Sequence, residues 1–248
     1  MKIMWHGTAS LSIDNVLWVD PFIPNKKSKV RIQTEIYTQY DHVFITHAHI
    51  DHISSIPRIF KNKKVNIYGT EAVNIALQKL HFNNYNFIQV HPGDCIYLKG
   101  YKIKVYRSKH TQFDKELIKK TLVNPRMMKD LLTFIQMYTV HIRCKERNEI
   151  IAYSIEKNQQ SIFILGSMNI DKNTRYPQNM DMLVMPYQGT SYLDDMADTL
   201  VHVFMPKRIF LDHFDDTFPP ISNTVDTTCA EIKYDAIKPE YQIPYEII

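Results

Sequence analysis

Four side chains able to hold a metal ion, His47, His49, Asp51 and His52, fall within six residues of one another in Thr46-His47-Ala48-His49-Ile50-Asp51-His52. Three imidazoles and a carboxylate packed this closely are poor material for a core and good material for binding a cation. In extended backbone, residues two apart point the same way, so His47 and His49 can reach one ion. Asp51 and His52 follow after a change of chain direction and can face a neighbouring position. A polar loop whose histidines bond locally is the plainer alternative, and it does not explain the density of ligands.

These residues need an element to carry them. Val43-Phe44-Ile45-Thr46 is β-branched and aromatic and reads as a buried strand that ends at the ligands. The same placement recurs twice. A strand over 101–107 runs out at Ser108-Lys109-His110, and a short strand over 208–211 is followed by Asp212-His213. An opening set of strands, 2–5 and 10–19, stops at Asp20-Pro21, because proline removes a donor and biases the residue before it toward extended backbone. Asp20 is therefore either a strand-end cap or a support for a ligand histidine. His6 and Thr8 are candidates for a pocket, with a structural role as the alternative.

Between these points, residues 22–40 read as a loop and a short helical or irregular segment. Residues 53–60 read as a short helix interrupted by Pro57, and Thr70 as the cap of a helix running to Leu80. Ala72, Val73, Ala76, Leu77 and Leu80 make that helix's apolar stripe. Lys99-Gly100 divides a hairpin, and Lys157–Gln160 divides another between 149–155 and 161–165. Phe113, Leu117, Ile118 and Leu122, then Met128, Leu131, Leu132 and Ile135 beyond Pro125, predict two helices inserted over 113–136. Core packing is the expected role of that stripe, with a substrate lid as the alternative. Leu193, Met196, Ala197, Leu200, Val201 and Phe204 predict an amphipathic helix. One further helix is expected near 224–232, and an extended or surface-docked tail after it.

At 248 residues and 44% hydrophobic content the chain can bury a full core as a single domain over 1–248. Its 30 basic and 26 acidic residues are interspersed, and the net charge of +4 slightly favours anionic ligands without making a case for nucleic acid. Cys95, Cys144 and Cys229 form no C-x-x-C and no disulfide framework, which fits a reducing cytoplasm. No apolar run approaches the roughly twenty residues of a membrane span, and no export signal is evident.

Taken together, these motifs resemble the metallo-β-lactamase superfamily of metal-dependent hydrolases. The resemblance implies an α+β, four-layer αββα sandwich: two sheets face to face with helices outside. It places His47, His49 and His110 in one metal site and Asp51, His52 and His213 in the other. Trp5 to Ser10 and Asp20-Pro21 look like the opening of the branch containing the ascorbate-6-phosphate lactonases and the phospholipase-D-like N-acyl-ethanolamine enzymes. Imidazoles and a carboxylate suit zinc first, with manganese, iron or nickel open, one or two ions per chain.

The sequence departs from the family at Gly166-Ser167, where an Asp usually bridges the two ions. A serine hydroxyl supplies no charge, so the second ion is expected to bind more weakly unless Asp171, Asp212 or an anionic substrate compensates. The expected activity is hydrolysis of an ester, lactone or phosphodiester of a small anionic molecule by a metal-activated water, with Asp51 orienting it. The export-dependent β-lactamases, the thioesterases with Pro-Gly around the third histidine, and the nucleases with an added RNA domain all fit less well. A catalytically inactive metal-binding sensor or binding protein of the same fold is the competing reading, and Ser167 is what favours it.

Overall fold

Short β-branched runs broken by turn residues give a chain rich in strands. The first set comprises β1 (Lys2–Trp5), β2 (Leu11–Ile13), β3 (Leu17–Val19), β4 (His42–Phe44), β5 (Val65–Gly69) and β6 (Tyr85–Gln89). The second comprises β7 (Cys95–Leu98), β8 (Tyr101–Arg107), β9 (Ile151–Lys157), β10 (Gln160–Ile164), β11 (Met182–Pro186) and β12 (Ile209–Asp212), and the tail adds β13 (Pro244–Glu246). The helices are α1 (Ile50–Ile53), α2 (Ile56–Ile59), α3 (Glu71–Lys79), α4 (Lys115–Leu122), α5 (Pro125–Lys129), α6 (Leu131–Arg143), α7 (Leu193–Phe204) and α8 (Thr228–Tyr234), with a 3-10 turn over Glu35–Gln39. This computed structural model describes residues 1–145 and 147–247; the side chains of Ile36, Thr38, Lys120, Thr121, Leu122, Met127 and Met128 also lie outside what is described.

The strands make two mixed sheets, ordered β13-β1-β2-β3-β4-β5-β6 and β12-β11-β10-β9-β8-β7. Period-two alternation decides what each residue faces. In β4, Phe44 joins Ile3, Leu11, Ile103, Tyr153 and Val184 in the core between the sheets. Val43, its neighbour, points the other way into a second cluster with Ile67 and the α3 residues Ala72, Val73, Ala76 and Leu77. On the far side α7 covers the second sheet, its Phe204 ring 4.7 Å from that of Phe163. The layers are therefore helix, sheet, sheet, helix, and β13 pairs antiparallel with β1 at the edge of the first sheet.

Several local expectations change. Thr70 has the extended backbone of a cap but makes no capping bond. Glu149 Oε2 takes its place, accepting from Ala72 N at 2.8 Å. The hairpin strands β9 and β10 run up to a two-residue turn at Asn158-Gln159, both left-handed, the geometry a tight hairpin needs.

The insertion holds three helices, and it runs to Arg143. Pro125 starts α5, with Asn124 Oδ1 accepting from Arg126 N at 3.0 Å, and nothing interrupts the helical pattern between Leu131 and Cys144. The larger correction concerns its stripe. Leu131, Leu132 and Ile135 are 55%, 78% and 50% exposed, so they are not core. Ion pairs tether the insertion instead: Lys27 to Asp130 at 2.8 Å and Arg126 to Asp216 at 2.7 Å. Asp114 Oδ2 adds a bond from Ser191 N at 2.7 Å.

Candidate metal centre

β4 ends at Phe44, the chain bends at Thr46, and His49 is in extended backbone before α1 turns the chain. The rings of His47 and His49 come together, with centroids 4.6 Å apart. Asp51 and His52 lie on the first turn of α1. The loop after β8 brings His110 to 4.4 Å from His49 and 5.3 Å from His47, ring to ring. The loop after β12 brings the His213 ring to 5.4 Å from that of His52. Two sets of donor atoms result, His47, His49 and His110, and Asp51, His52 and His213, each with its members within 4.8 Å of one another.

Hydrogen bonds fix how these rings present their nitrogens. The Thr46 hydroxyl donates to Asp20 Oδ2 at 2.6 Å, so towards the histidines it can only accept. His47 Nδ1, 3.1 Å from that hydroxyl, must carry the proton, which leaves a lone pair on Nε2. His52 Nδ1 sits 2.8 Å from Asp20 Oδ2 and is likewise the protonated nitrogen. His110 Nδ1 donates to Thr111 O at 2.6 Å. Asp20 is thus the support for a histidine rather than a plain cap, a common arrangement behind metal-bound imidazoles. Its own backbone is left-handed, as is that of His213, which is uncommon without glycine and marks both as held by their surroundings.

His47 is fully buried, and among the described residues its Nε2 has no hydrogen-bond partner. A buried polar atom without a partner is costly, and a cation ringed by three imidazoles removes that cost. The donor set therefore fits a metal. Burial, aided by the imidazoles of His52, His49 and His110, holds His47 well below the usual histidine range, so it is neutral and ready to ligate. His213 behaves oppositely. Burial works against its charge, but Asp212, whose Oδ1 is 3.2 Å from Nδ1, and then Asp51 and Asp215 push it up to about 9. Asp51 is opposed by burial too, yet His52, His213 and His49 keep its carboxyl below the usual range, with Oδ2 3.6 Å from His52 Nε2 and 4.0 Å from His213 Nε2.

Of the other candidates, Ser167 lines the cavity at this centre, and its Oγ is engaged with Thr111, accepting from Thr111 N at 2.9 Å and donating to Thr111 Oγ1 at 3.1 Å. Any side chain at Gly166 would collide with Thr46. Asp212 stands behind His213. Asp171 is not part of the cluster: its carboxylate is occupied by Thr174 Oγ1 at 3.0 Å and by Lys109 at 3.4 Å. His6 and Thr8 are buried braces, not pocket residues; His6 Nε2 is 2.9 Å from Ser12 Oγ, and Thr8 O accepts from His213 N at 3.0 Å.

His47 is buried, and beside it the other five donors, His49, Asp51, His52, His110 and His213, line the floor of a cavity of about 400 Å³. Its walls come from the insertion and from the loops around 186–193 and 213–225. Sequence reasoning missed Thr111, Gln188, Asn223 and His141, whose ring is 5.6 Å from that of His49. His141 had a faint signal, because it lies three residues after Tyr138 on one helix face. A pairing of a helix end with a distant strand loop has none. No helix among the described residues is long and apolar enough to cross a membrane.

Known proteins share this architecture. The Igni18 metallo hydrolase of Ignicoccus hospitalis KIN4/I superposes with a TM-score of 0.61 at 18% identity, over 99% of this chain and 98% of that one. An isothiocyanate hydrolase from Delia radicum gut bacteria gives 0.61 at 13% identity, over 100% and 99%. In sequence, a UPF0173 metal-dependent hydrolase of Methanocaldococcus jannaschii is 26% identical over 109 residues, 44% of this chain and 48% of that protein. Another, from Polynucleobacter asymbioticus, is 22% identical over 254 residues, 96% of this chain and 82% of that protein. The chain thus spans about half or less of the first curated relatives, which cover 48%, 39% and 32%, and more of the fourth. A family model described as "Beta-lactamase superfamily domain" matches residues 15–209, a span holding every donor but His213. With two helix-flanked sheets presenting their loops to one metal-competent floor, the chain belongs to the beta-lactamase superfamily and has its fold.

Proposed function

We propose that the protein is a metal-dependent hydrolase that adds water across an ester, lactone or phosphodiester bond. One observation carries this reading: the buried His47 Nε2, without a hydrogen-bond partner among the described residues, stands in a triangle of imidazoles with His49 and His110, both of which line a cavity. His47, His49 and His110 would hold the principal ion, zinc by preference, with manganese, iron and nickel also compatible. When bound, zinc brings the pKa of its water to about 7 and polarises the substrate oxygen.

Asp51 is ionised at neutral pH, so its Oδ2 can take the proton that water gives up. His213 Nε2, 4.0 Å away, can carry a proton toward the leaving oxygen. In the balanced reaction the bond from the acyl or phosphoryl centre to its leaving oxygen breaks. Hydroxyl from water joins the centre, and the second proton of water ends on the leaving group. His52, held by Asp20, keeps its orientation throughout.

A second ion would take Asp51, His52 and His213. Asp51 is the one carboxylate in the two sets, Ser167 is bonded to Thr111, and His213 must give up a proton first. That ion is accordingly the weaker one. The same deficit supports the competing reading of a metal-dependent binding protein. The names of the curated relatives favour a hydrolase, and the resemblance of the opening segment to the lactonase branch favours an ester-type bond. The ligand is a small molecule received in a cavity, and the three free cysteines suit the cytoplasm.

Protein replenished with each of the four metals should turn over at least one of a panel of aryl phosphodiesters, lactones and thioesters. Chelation should abolish this, and Asp51→Asn should reduce it by about 10²-fold or more. No turnover under any metal, with partner binding still altered by His49→Ala, would instead make it a binding protein.

A further inference from the structure

The cavity above the metal centre has walls that are mostly apolar, with neutral polar side chains such as Gln188 and Asn223 between them. Phe113, Leu117 and Ile118 come from the insertion, Leu193 from the start of α7, and Phe218 and Ile221 from the loop after β12. Among the described residues, no lysine or arginine lines it. Lys115 and Lys119, which flank Leu117 and Ile118 in the chain, are not among the lining residues, and Arg126, Lys27 and Lys109 are paired with Asp216, Asp130 and Asp171. A charged group carried into this space would lose its water and find no counter-charge on the walls. Phe113 and Ile118 are 58% and 46% exposed, an arrangement that leaves apolar surface in water unless a ligand covers it. The insertion is fixed at three points by Lys27–Asp130, Arg126–Asp216 and Asp114–Ser191, so this wall is preformed.

Resting on the hydrolase reading above, we propose that the substrate is uncharged and carries a hydrocarbon group, which lodges under the α4–α6 insertion while its ester or lactone carbonyl meets the metal floor. Such a substrate differs from the small anionic one expected from the sequence. Net charge of +4 belongs to the whole surface, whereas selectivity belongs to the walls of the cavity.

Calorimetric titration of the zinc-loaded protein with straight-chain alcohols from butanol to octanol tests this without requiring turnover. Affinity should rise about fourfold per methylene until the cavity is filled. 8-Hydroxyoctyl-trimethylammonium, whose charge cannot turn to the metal and must lie at the far end, should bind at least about tenfold more weakly than octanol. Ile118→Asp should weaken octanol by a similar factor, and Phe113→Ala, outside any helix, gives a milder loss should Ile118→Asp fail to fold. Affinity independent of chain length, or the trimethylammonium alcohol binding as tightly as octanol, would overturn the proposal. Hydrolysis of a short aryl ester by the same sample is read separately. An alcohol series with the expected slope and no hydrolysis sinks the hydrolase reading and leaves the pocket's preference standing; hydrolysis with no slope does the reverse.

Discussion

The Thr46 hydroxyl has a single proton, and giving it to Asp20 decides the tautomer of His47 and supports that of His52. Nothing in the sequence marks this threonine out. One hydroxyl at a strand end has no signature, whereas His47, His49, Asp51 and His52 are legible because four ligand types rarely crowd together without a cation. Ser167 lies between these cases. Its neutrality could be read from the chain, but its bonds to Thr111 depend on two loops meeting. Replacing it supplies the missing charge: after extensive dialysis, Ser167→Asp should retain about two ions per chain where the natural protein retains about one. Equal retention by both proteins would show that residue 167 does not set the affinity of the second set.

The stripe on the inserted helices shows what periodicity can and cannot say. Leu117 and Ile118 of the stripe line the cavity, whereas Leu131, Leu132 and Ile135 do not and stand exposed, so apolar residues at helical spacing do not by themselves mean a core. Helix up to residue 136 was foreseeable from spacing; its continuation to Arg143 and the side of the molecule it faces were not. For α3 the same kind of stripe does face a core, since Leu77 is completely buried against the first sheet. The two stripes should therefore differ in what they contribute to folding. Leu77→Ala should cost about 2–5 kcal/mol in urea unfolding, and Leu132→Glu under about 0.5 kcal/mol. A loss of several kcal/mol from Leu132→Glu would show that the insertion packs as core after all.

At the scale of the whole molecule, the two sheets work by bringing strand ends to a common edge. β4 delivers His47 and His49, β8 delivers His110, and β12 delivers His213, from both sides of the sandwich. A histidine just past a strand can be read three times in the chain, but their convergence follows from pairing order, which the resemblance implied and local sequence does not contain. Residues at the opposite end of that logic were harder to read. Trp5, Thr8 and Tyr241 hold the loop after β12 in place, Trp5 stacking on Phe214 at 4.6 Å, yet Tyr241 reads locally as tail, Thr8 as a pocket candidate and Trp5 as the end of a strand. The account as a whole depends on one claim, that the floor formed by His47, His49 and His110 holds a metal ion. Metal analysis after prolonged dialysis, with anomalous scattering to locate what is kept, tests it most directly. About one dication per chain should survive, its peak among those three imidazoles, and it should be lost in a folded His110→Ala protein. A natural protein that keeps no ion, or a His110→Ala protein that keeps it undiminished, would contradict the claim.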